Sequence, residues 1–237
     1  MDLSIVIPVR NEAENAPLVA EIRAALDGKL AYEIVYVDDA SRDGTAAALA
    51  ALTGANSPLR VVRHMARCGQ RAAIRSGVKA ARAPWIATLD GDGQNDPADI
   101  PRLWEMAPKA ADPRLLIAGQ RVKRRDTLLK RLSSRIANAV RSRLLGDATP
   151  DTGCGLKLFR RELYLDLPYF DHMHRFLPAL VLREGGRIVS VPVNHRPRAR
   201  GKSNYGTLDR LAVAFADLLG VLWLKRRARR PEIIAEN

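Results

Sequence analysis

Within the first ninety residues, β-branched apolar runs alternate with stretches of helical periodicity, and few folds satisfy that alternation. Leu3-Ser4-Ile5-Val6-Ile7-Pro8-Val9 reads as a buried parallel strand. Asn15 and Pro17 mark a helix start, and Leu18, Ile22, Ala25 and Leu26 recur at helical spacing until Gly28. Glu33 to Val37 is a second strand ending in Asp38-Asp39, and Ser41 is placed to cap a helix running to about Leu52. Arg60 to Arg63 makes a third strand, a helix follows Arg67-Cys68-Gly69-Gln70 to about Arg82, and Trp85 to Leu89 is a fourth strand. Strands and helices in this order predict an α/β domain with a mostly parallel sheet, whose ligands gather at the carboxyl ends of strands. Arg10-Asn11-Glu12, Asp38-Asp39 and Asp90-Gly91-Asp92 all fall at such ends.

The last of these clusters opens a turn, Asp90-Gly91-Asp92-Gly93-Gln94-Asn95-Asp96, and Pro97 stands where a helix can begin. Two carboxylates one residue apart suit a hard divalent cation such as Mg²⁺ or Mn²⁺, although most acidic turns are simply solvated. Further along, Leu115 to Ala118 and Ile188 to Val193 read as strands. Between them, Leu128, Leu132, Ile136, Val140 and Leu144 repeat every four residues among arginines and lysines, a basic amphipathic helix over 128–145. Leu208 to Leu224 is apolar except at Asp209, Arg210 and Asp217, and Lys225-Arg226-Arg227-Ala228-Arg229-Arg230 follows. Its uninterrupted part is too short to span a bilayer, so the reading is an interfacial helix with a cationic end or a helix docked on the domain.

The formal charge of +13 is concentrated: residues 119–143, 195–202 and 225–230 carry +8, +4 and +5, so the remainder is net acidic. Such patches attract anionic lipid, nucleic acid or phosphorylated substrates by the same electrostatics. Aromatics at 5% with no RNA-binding signature argue against nucleic acid. Cys68 and Cys154 match no zinc spacing and fit a reducing compartment or unused thiols. Met1 to Ile5 has no basic leader and runs straight into a strand, which predicts no signal peptide and a cytoplasmic-side protein. Gly201-Lys202-Ser203 resembles the end of a P-loop, but position 196 is arginine where that motif needs glycine. Neither a Gly-x-Gly-x-x-Gly after the first strand nor a Gly-x-Ser-x-Gly elbow is present.

Ile7-Pro8-Val9-Arg10-Asn11-Glu12, Val37-Asp38-Asp39-Ala40-Ser41-Arg42-Asp43-Gly44-Thr45 and Leu89-Asp90-Gly91-Asp92-Gly93-Gln94-Asn95-Asp96-Pro97 together resemble glycosyltransferase family 2, of the GT-A fold. Asp151-Thr152-Gly153-Cys154-Gly155, His174-Arg175-Phe176-Leu177-Pro178-Ala179-Leu180 and Asn194-His195-Arg196-Pro197-Arg198 narrow the resemblance to polyprenyl-phosphate sugar synthases of the dolichyl-phosphate mannose synthase type. It covers roughly 3–224 and implies a GT-A domain over 1–207, followed over 208–237 by an amphipathic helix and basic tail.

The resemblance implies metal-dependent, inverting transfer of a sugar from a nucleotide diphosphate to a polyprenyl monophosphate, with the protein peripheral at the cytoplasmic face of the inner membrane. Pro8, Arg10, Glu12, Asp39, Gly69 and Gln70 would hold the nucleoside, Asp39 accepting hydrogen bonds from the base. Asp90 would face the donor sugar, and Asp92 with Gln94 would hold Mg²⁺ or Mn²⁺. Arg121, Arg135, Arg198 and Ser203 would bind acceptor or donor phosphates, with Asp151 and Lys157 in the acceptor-side loop. The resemblance to bacterial members favours a UDP-sugar over GDP-mannose as donor. Two departures stand out: many relatives have C-terminal transmembrane helices, and position 204 is asparagine where lysine is frequent. A family 2 enzyme with a soluble or polysaccharide acceptor, a catalytically silent membrane- or nucleic-acid-binding relative, and a homo-oligomer formed through helix 128–145 stay open.

Overall fold

The computed structural model describes residues 1–13, 18–54, 57–107, 112–122, 141–147, 149–197 and 207–229. The alternation becomes β1 (Leu3–Val9), α1 (Leu18–Leu26), β2 (Tyr32–Asp38), α2 (Thr45–Leu52), β3 (Leu59–Arg63), α3 (Gln70–Ala80) and β4 (Trp85–Thr88). A 3₁₀ turn at Pro97–Asp99 leads into α4 (Ile100–Trp104), then β5 (Leu115–Arg121), β6 (Lys157–Arg160) and α5 (Arg161–Asp166). After these come α6 (Leu177–Arg183), β7 (Arg187–Val193) and α7 (Thr207–Arg226). The Asn15–Pro17 helix start and residues 128–140 of the basic helix lie outside the described residues, whereas 141–145 are helical.

One seven-stranded sheet has the order β3-β2-β1-β4-β6-β5-β7. Its strands are parallel except β6, which runs antiparallel between β4 and β5. β5 continues to Arg121, beyond its expected end at Ala118, because Gly119, Gln120 and Arg121 find register partners in Val191, Pro192 and Val193 of β7. Strand alternation sends Leu3, Ile5 and Ile7 to one face, against Leu18, Ile22 and Leu26 of α1. Val6, Val35 and Val37 point to the other face, against Ala73, Ile74 and Val78 of α3.

Ser41 does not cap α2. Asp38 Oδ1 accepts its amide proton at 2.9 Å, its own Oγ accepts from Asn11 N–H at 3.0 Å, and Gly44 stands at the helix start. The hydroxyl therefore knits the loop after β1 to the loop after β2. At the opposite end of the sheet, buried Glu33 accepts from Ser4 Oγ, Arg60 and the Arg82 amide at 2.6–2.7 Å. Burial would raise this carboxyl, but those three donors outweigh it and hold it below the usual range.

Helix α7 docks by one face. Val221 is buried, and Leu218, Leu222 and Leu224 pack on the α3-side core. Polar contacts fix the same face: Asp217 meets His172 Nδ1 at 2.9 Å, Arg183 donates to Leu224 O at 3.1 Å, and Lys225 Nζ donates to Leu145 O. Phe215, Leu219 and Trp223, at i, i+4 and i+8, are 51–62% exposed on the other face. No helix among the described residues is long and apolar enough to cross a membrane.

Close packing of α3 on the sheet depends on Gly77, where a Cβ would collide with Val6 Cγ1 and stand 3.0 Å from Val37 Cγ2. Overpacking costs roughly 1–3 kcal/mol, against a helix-propensity gain of about 1 kcal/mol for alanine over glycine. Gly77→Ala should therefore lower the urea midpoint; an unchanged or higher midpoint would show slack between α3 and the sheet.

Candidate active site

The carboxyl ends of β1, β2 and β4 open into one cavity of about 700 Å³. Pro8, Arg10, Glu12, Asp39, Gly69, Gln70, Asp90 and Asp92 all line it, so eight sequence-selected residues from four separate segments meet in one place. Arg71, His172, His174, Arg175 and Val213 of α7 also line it, as does Asp171, which pairs with Arg71 at 2.9 Å. None of these six was among the selected site residues, although His174-Arg175 stood inside a quoted motif.

Asp39 is built into the wall. Its Oδ1 accepts from Cys68 N–H and meets His64 Nδ1, both at 2.8 Å, while Oδ2 accepts from Gly69 N–H at 2.7 Å. Burial alone would raise the carboxyl, but these donors hold it below its ordinary value. A carboxylate has about four acceptor sites, so most of its capacity holds loop 64–70. Gly69 has φ +87°, a backbone state that glycine adopts without steric cost, and it starts α3 with the helix amino end at the cavity. Gln70 Nε2 then donates to Asp90 Oδ1 at 2.8 Å, joining the nucleoside-side loop to the acidic turn.

Asp90 sits where its charge is disfavoured. Burial pushes its carboxyl upward and the charge of Asp92 pushes the same way, with Lys157 and Arg121 pulling back. Its amide donates to Asn95 Oδ1 at 2.9 Å, shaping the turn. Gly155 lies so close that a Cβ there would collide with Asp90 Oδ2. Thr88 Oγ fixes that approach by donating to Gly155 O at 2.7 Å. Gln94 contributes its backbone: its amide donates to Asp92 Oδ1 at 3.1 Å and its carbonyl accepts from Arg196 N–H.

Arg121 and Asp151, expected to contact phosphate and acceptor, instead meet each other. Arg121 Nε and Nη2 form a fork onto Asp151 Oδ2 and Oδ1 at 2.6 and 2.7 Å, with both side chains largely buried. The hydrogen bonds to Asp151 raise the guanidinium further. Breaking such a pair typically costs about 3–5 kcal/mol. Lys157, expected in an acceptor-side loop, is 4% exposed at the start of β6. Its Nζ donates to the Thr152 and Cys154 carbonyls, and burial pulls it down from the usual lysine range. With Asp90 and His174 it lines a smaller cavity of about 210 Å³. Arg135, Arg198 and Ser203 lie outside the described residues.

His174 belongs to both cavities. Its buried Nδ1 has no hydrogen-bond partner among the described residues. Burial, reinforced by the charges of Lys157 and Arg175, pushes it down to about 3, so the ring is neutral at ordinary pH. An oxygen-rich acidic pair beside a helix amino end, rimmed by Arg71 and Arg175, can hold a divalent cation and phosphate oxygens side by side.

A glycosyl transferase family 2 model matches residues 4–167. The chain is 36% identical to dodecaprenyl-phosphate galacturonate synthase of Rhizobium johnstonii, over 98% of this chain and 69% of that protein. It is 35% identical to undecaprenyl-phosphate 4-deoxy-4-formamido-L-arabinose transferase of Sodalis glossinidius, over 93% of this chain and 67% of that one. In three dimensions it is similar to glucosyl-3-phosphoglycerate synthase from Mycobacterium tuberculosis, solved with Mn²⁺, UDP and glucosyl-3-phosphoglycerate. The TM-score is 0.69 at 20% identity, covering 98% of this chain and 81% of the other. That likeness speaks for the fold, the GT-A arrangement.

A group whose folded pKa is raised lends stability below its unfolded pKa and loses it as pH climbs through the folded value. Asp90 is such a group. Asp90→Asn should therefore melt at a higher temperature than the parent around pH 7 without divalent cations, with the gap closing towards about pH 4. An equal or lower melting temperature for the variant around pH 7 would contradict the desolvated placement.

Proposed function

The chain belongs to glycosyl transferase family 2, and on that footing we propose that it moves a sugar from a nucleotide diphosphate to a polyprenyl monophosphate. The observation that carries this reading is the one cavity that Asp39 and Gly69, Asp90 and Asp92, and Arg71 and Arg175 line together. The polyprenyl-phosphate names of the relatives support the acceptor class. The UDP and Mn²⁺ in the fold neighbour agree with a UDP-sugar donor and a divalent cation.

The nucleoside lies between Pro8, Arg10 and the Asp39–Gly69 wall, where Asp39 offers its remaining acceptor capacity to the base. Asp92, with Gln94 as the second proposed ligand, would hold Mg²⁺ or Mn²⁺. Oxygen donors suit either ion, and the electrostatic strain on Asp90 beside Asp92 is what a cation relieves. Bound there, the ion supplies neutralisation of the diphosphate leaving group. Asp90, steadied by Gln70, orients the sugar. A phosphomonoester acceptor is already anionic and attacks the anomeric carbon without a strong base, so catalysis rests on positioning and charge stabilisation. Arg71 and Arg175 steer the acceptor phosphate, with Arg135, Arg198 and Ser203 proposed beside them. Arg121 acts as a positioning residue, holding the 151–155 loop against Asp90 through Asp151.

The exposed stripe of α7 gives the acceptor a place to come from. Val213 lines the cavity, and on another face of the same helix Phe215, Leu219 and Trp223 run towards Arg226, Arg227 and Arg229. We place this face on the anionic cytoplasmic leaflet, where each basic residue contributes about 1 kcal/mol.

Incubation with short polyprenyl phosphates, a panel of nucleotide sugars and Mg²⁺ or Mn²⁺ should give lipid-linked sugar by mass, from a UDP-sugar. Asp92→Ala should lower the rate by roughly 100-fold or more; no product from any donor would sink the assignment. Separately, the protein should float with anionic vesicles, and Phe215→Asp with Trp223→Asp should weaken that binding about tenfold or more. Equal flotation of the double variant would remove α7 from the membrane contact.

A further inference from the structure

Cys68 and His64 are five and one residues into the loop after β3, and Asp39 is the first residue after β2, the strand beside it. Sequence spacing gives them no metal motif, yet folding brings one thiol, one imidazole and one carboxylate together. A ligand atom from each lies within 4.8 Å of the other two. We propose that Asp39, His64 and Cys68 form a second divalent-cation site, selective for a thiophilic ion such as Zn²⁺ and separate from the Asp92 corner.

The donor set decides the ion. Thiolate with imidazole suits Zn²⁺ and disfavours Mg²⁺, which takes oxygen ligands. Tetrahedral Zn²⁺, with bonds of about 2.0–2.3 Å, sets its donors about 3.4–3.7 Å apart. His64 Nδ1 and Asp39 Oδ1, now 2.8 Å apart, need only open by roughly 0.6 Å. Cys68 is exposed, and its Sγ bonds to Ala66 O at 3.3 Å, a contact that a side-chain rotation exchanges for the ion. Asp39 Oδ1 keeps the Cys68 amide as an outer partner, as zinc-bound carboxylates commonly do.

The protons balance. Cys68 loses its thiol proton to solvent as it binds. The imidazole, whose Nδ1–H faces Asp39 in the empty site, binds as the other neutral tautomer: its proton moves to Nε2, where Ser76 Oγ at 2.9 Å accepts it, and Nδ1 is left for the ion. Ser76 lies on α3, so the ring is oriented from the side opposite the ion. An ion here takes the place of the His64 contact on Asp39 Oδ1 and, with Cys68, stands at the cavity wall beside the Oδ2 that the nucleoside would use; this consequence rests on the donor reading above, whereas the site itself does not.

Co²⁺ tests the site directly, because a thiolate–cobalt bond gives a near-ultraviolet charge-transfer band. The full chain with excess Mg²⁺ should take up one equivalent of Co²⁺ with that band, Zn²⁺ should displace it, and Zn²⁺ should slow alkylation of Cys68 at least tenfold. Cys68→Ser should lose the band, and His64→Gln should weaken Zn²⁺ binding about tenfold or more. No band in the parent, or an unchanged band in Cys68→Ser, would overturn the site. Zn²⁺ should also weaken UDP binding tenfold in the parent and leave Cys68→Ser unaffected. Co²⁺ uptake with unaltered UDP affinity would overturn the competition alone, and a parent that takes up Co²⁺ but never binds UDP would count against the donor reading and not against the site.

Discussion

Lys157 is buried beneath the 151–155 loop, with two carbonyls of that loop as acceptors for its ammonium. A desolvated cation at the start of the one antiparallel strand has several consequences. It draws the loop down onto β4, where only glycine at 155 leaves room for Asp90. It also supplies part of the positive potential that lets Asp90 and Asp92 stand one residue apart. The Arg121–Asp151 pair completes the clamp from β5 and returns most of its charge to itself. The acidic turn is thus held from behind by groups that do not line the larger cavity, while that cavity's face is left to Gln70 and the basic rim.

The opposite wall works by a different economy of groups. Asp39 spends most of its acceptor sites on the chain, and in return loop 64–70 acquires a fixed shape with Gly69 at the head of α3. Loops at the ends of β1 and β2 are tied by Ser41, Thr45 and Asn11 across thirty residues of sequence. Asn11 and Ala40 carry positive φ there, at 57° and 55°, so backbone strain sits where the strands deliver their polar residues. Rigid walls on both sides favour positioning as the source of rate, which suits an acceptor that brings its own negative charge.

The first four strands and their alternation with helices were legible because β1 to β4 are short apolar runs with polar clusters at their ends, and local pattern alone carries that information. Strand β6 was not, since Lys-Leu-Phe-Arg is too short to show a period and its lysine is buried against the usual rule. Ser41 looked like a helix cap because a cap is a local pattern; its real partner, the amide of Asn11, is thirty residues away. The same distance hid the Arg121–Asp151 fork. Residue types told which chemistry was present, and the fold decided which charges face a ligand and which face each other. His174 shows the limit from the other side: its motif was quoted, but only the structure shows a neutral ring between two cavities.

Helix α7 rotates about 100° per residue, so its two faces are distinguished only by its setting about its own axis. Three polar pins set that angle, His172–Asp217 in mid-helix and Arg183–Leu224 with Lys225–Leu145 two turns later. A slip of one residue would break all three and roll Phe215, Leu219 and Trp223 partly towards the core. The pins therefore act as a compass for the whole molecule: whatever surface receives the exposed stripe also receives a fixed heading for the cavity mouth at Val213.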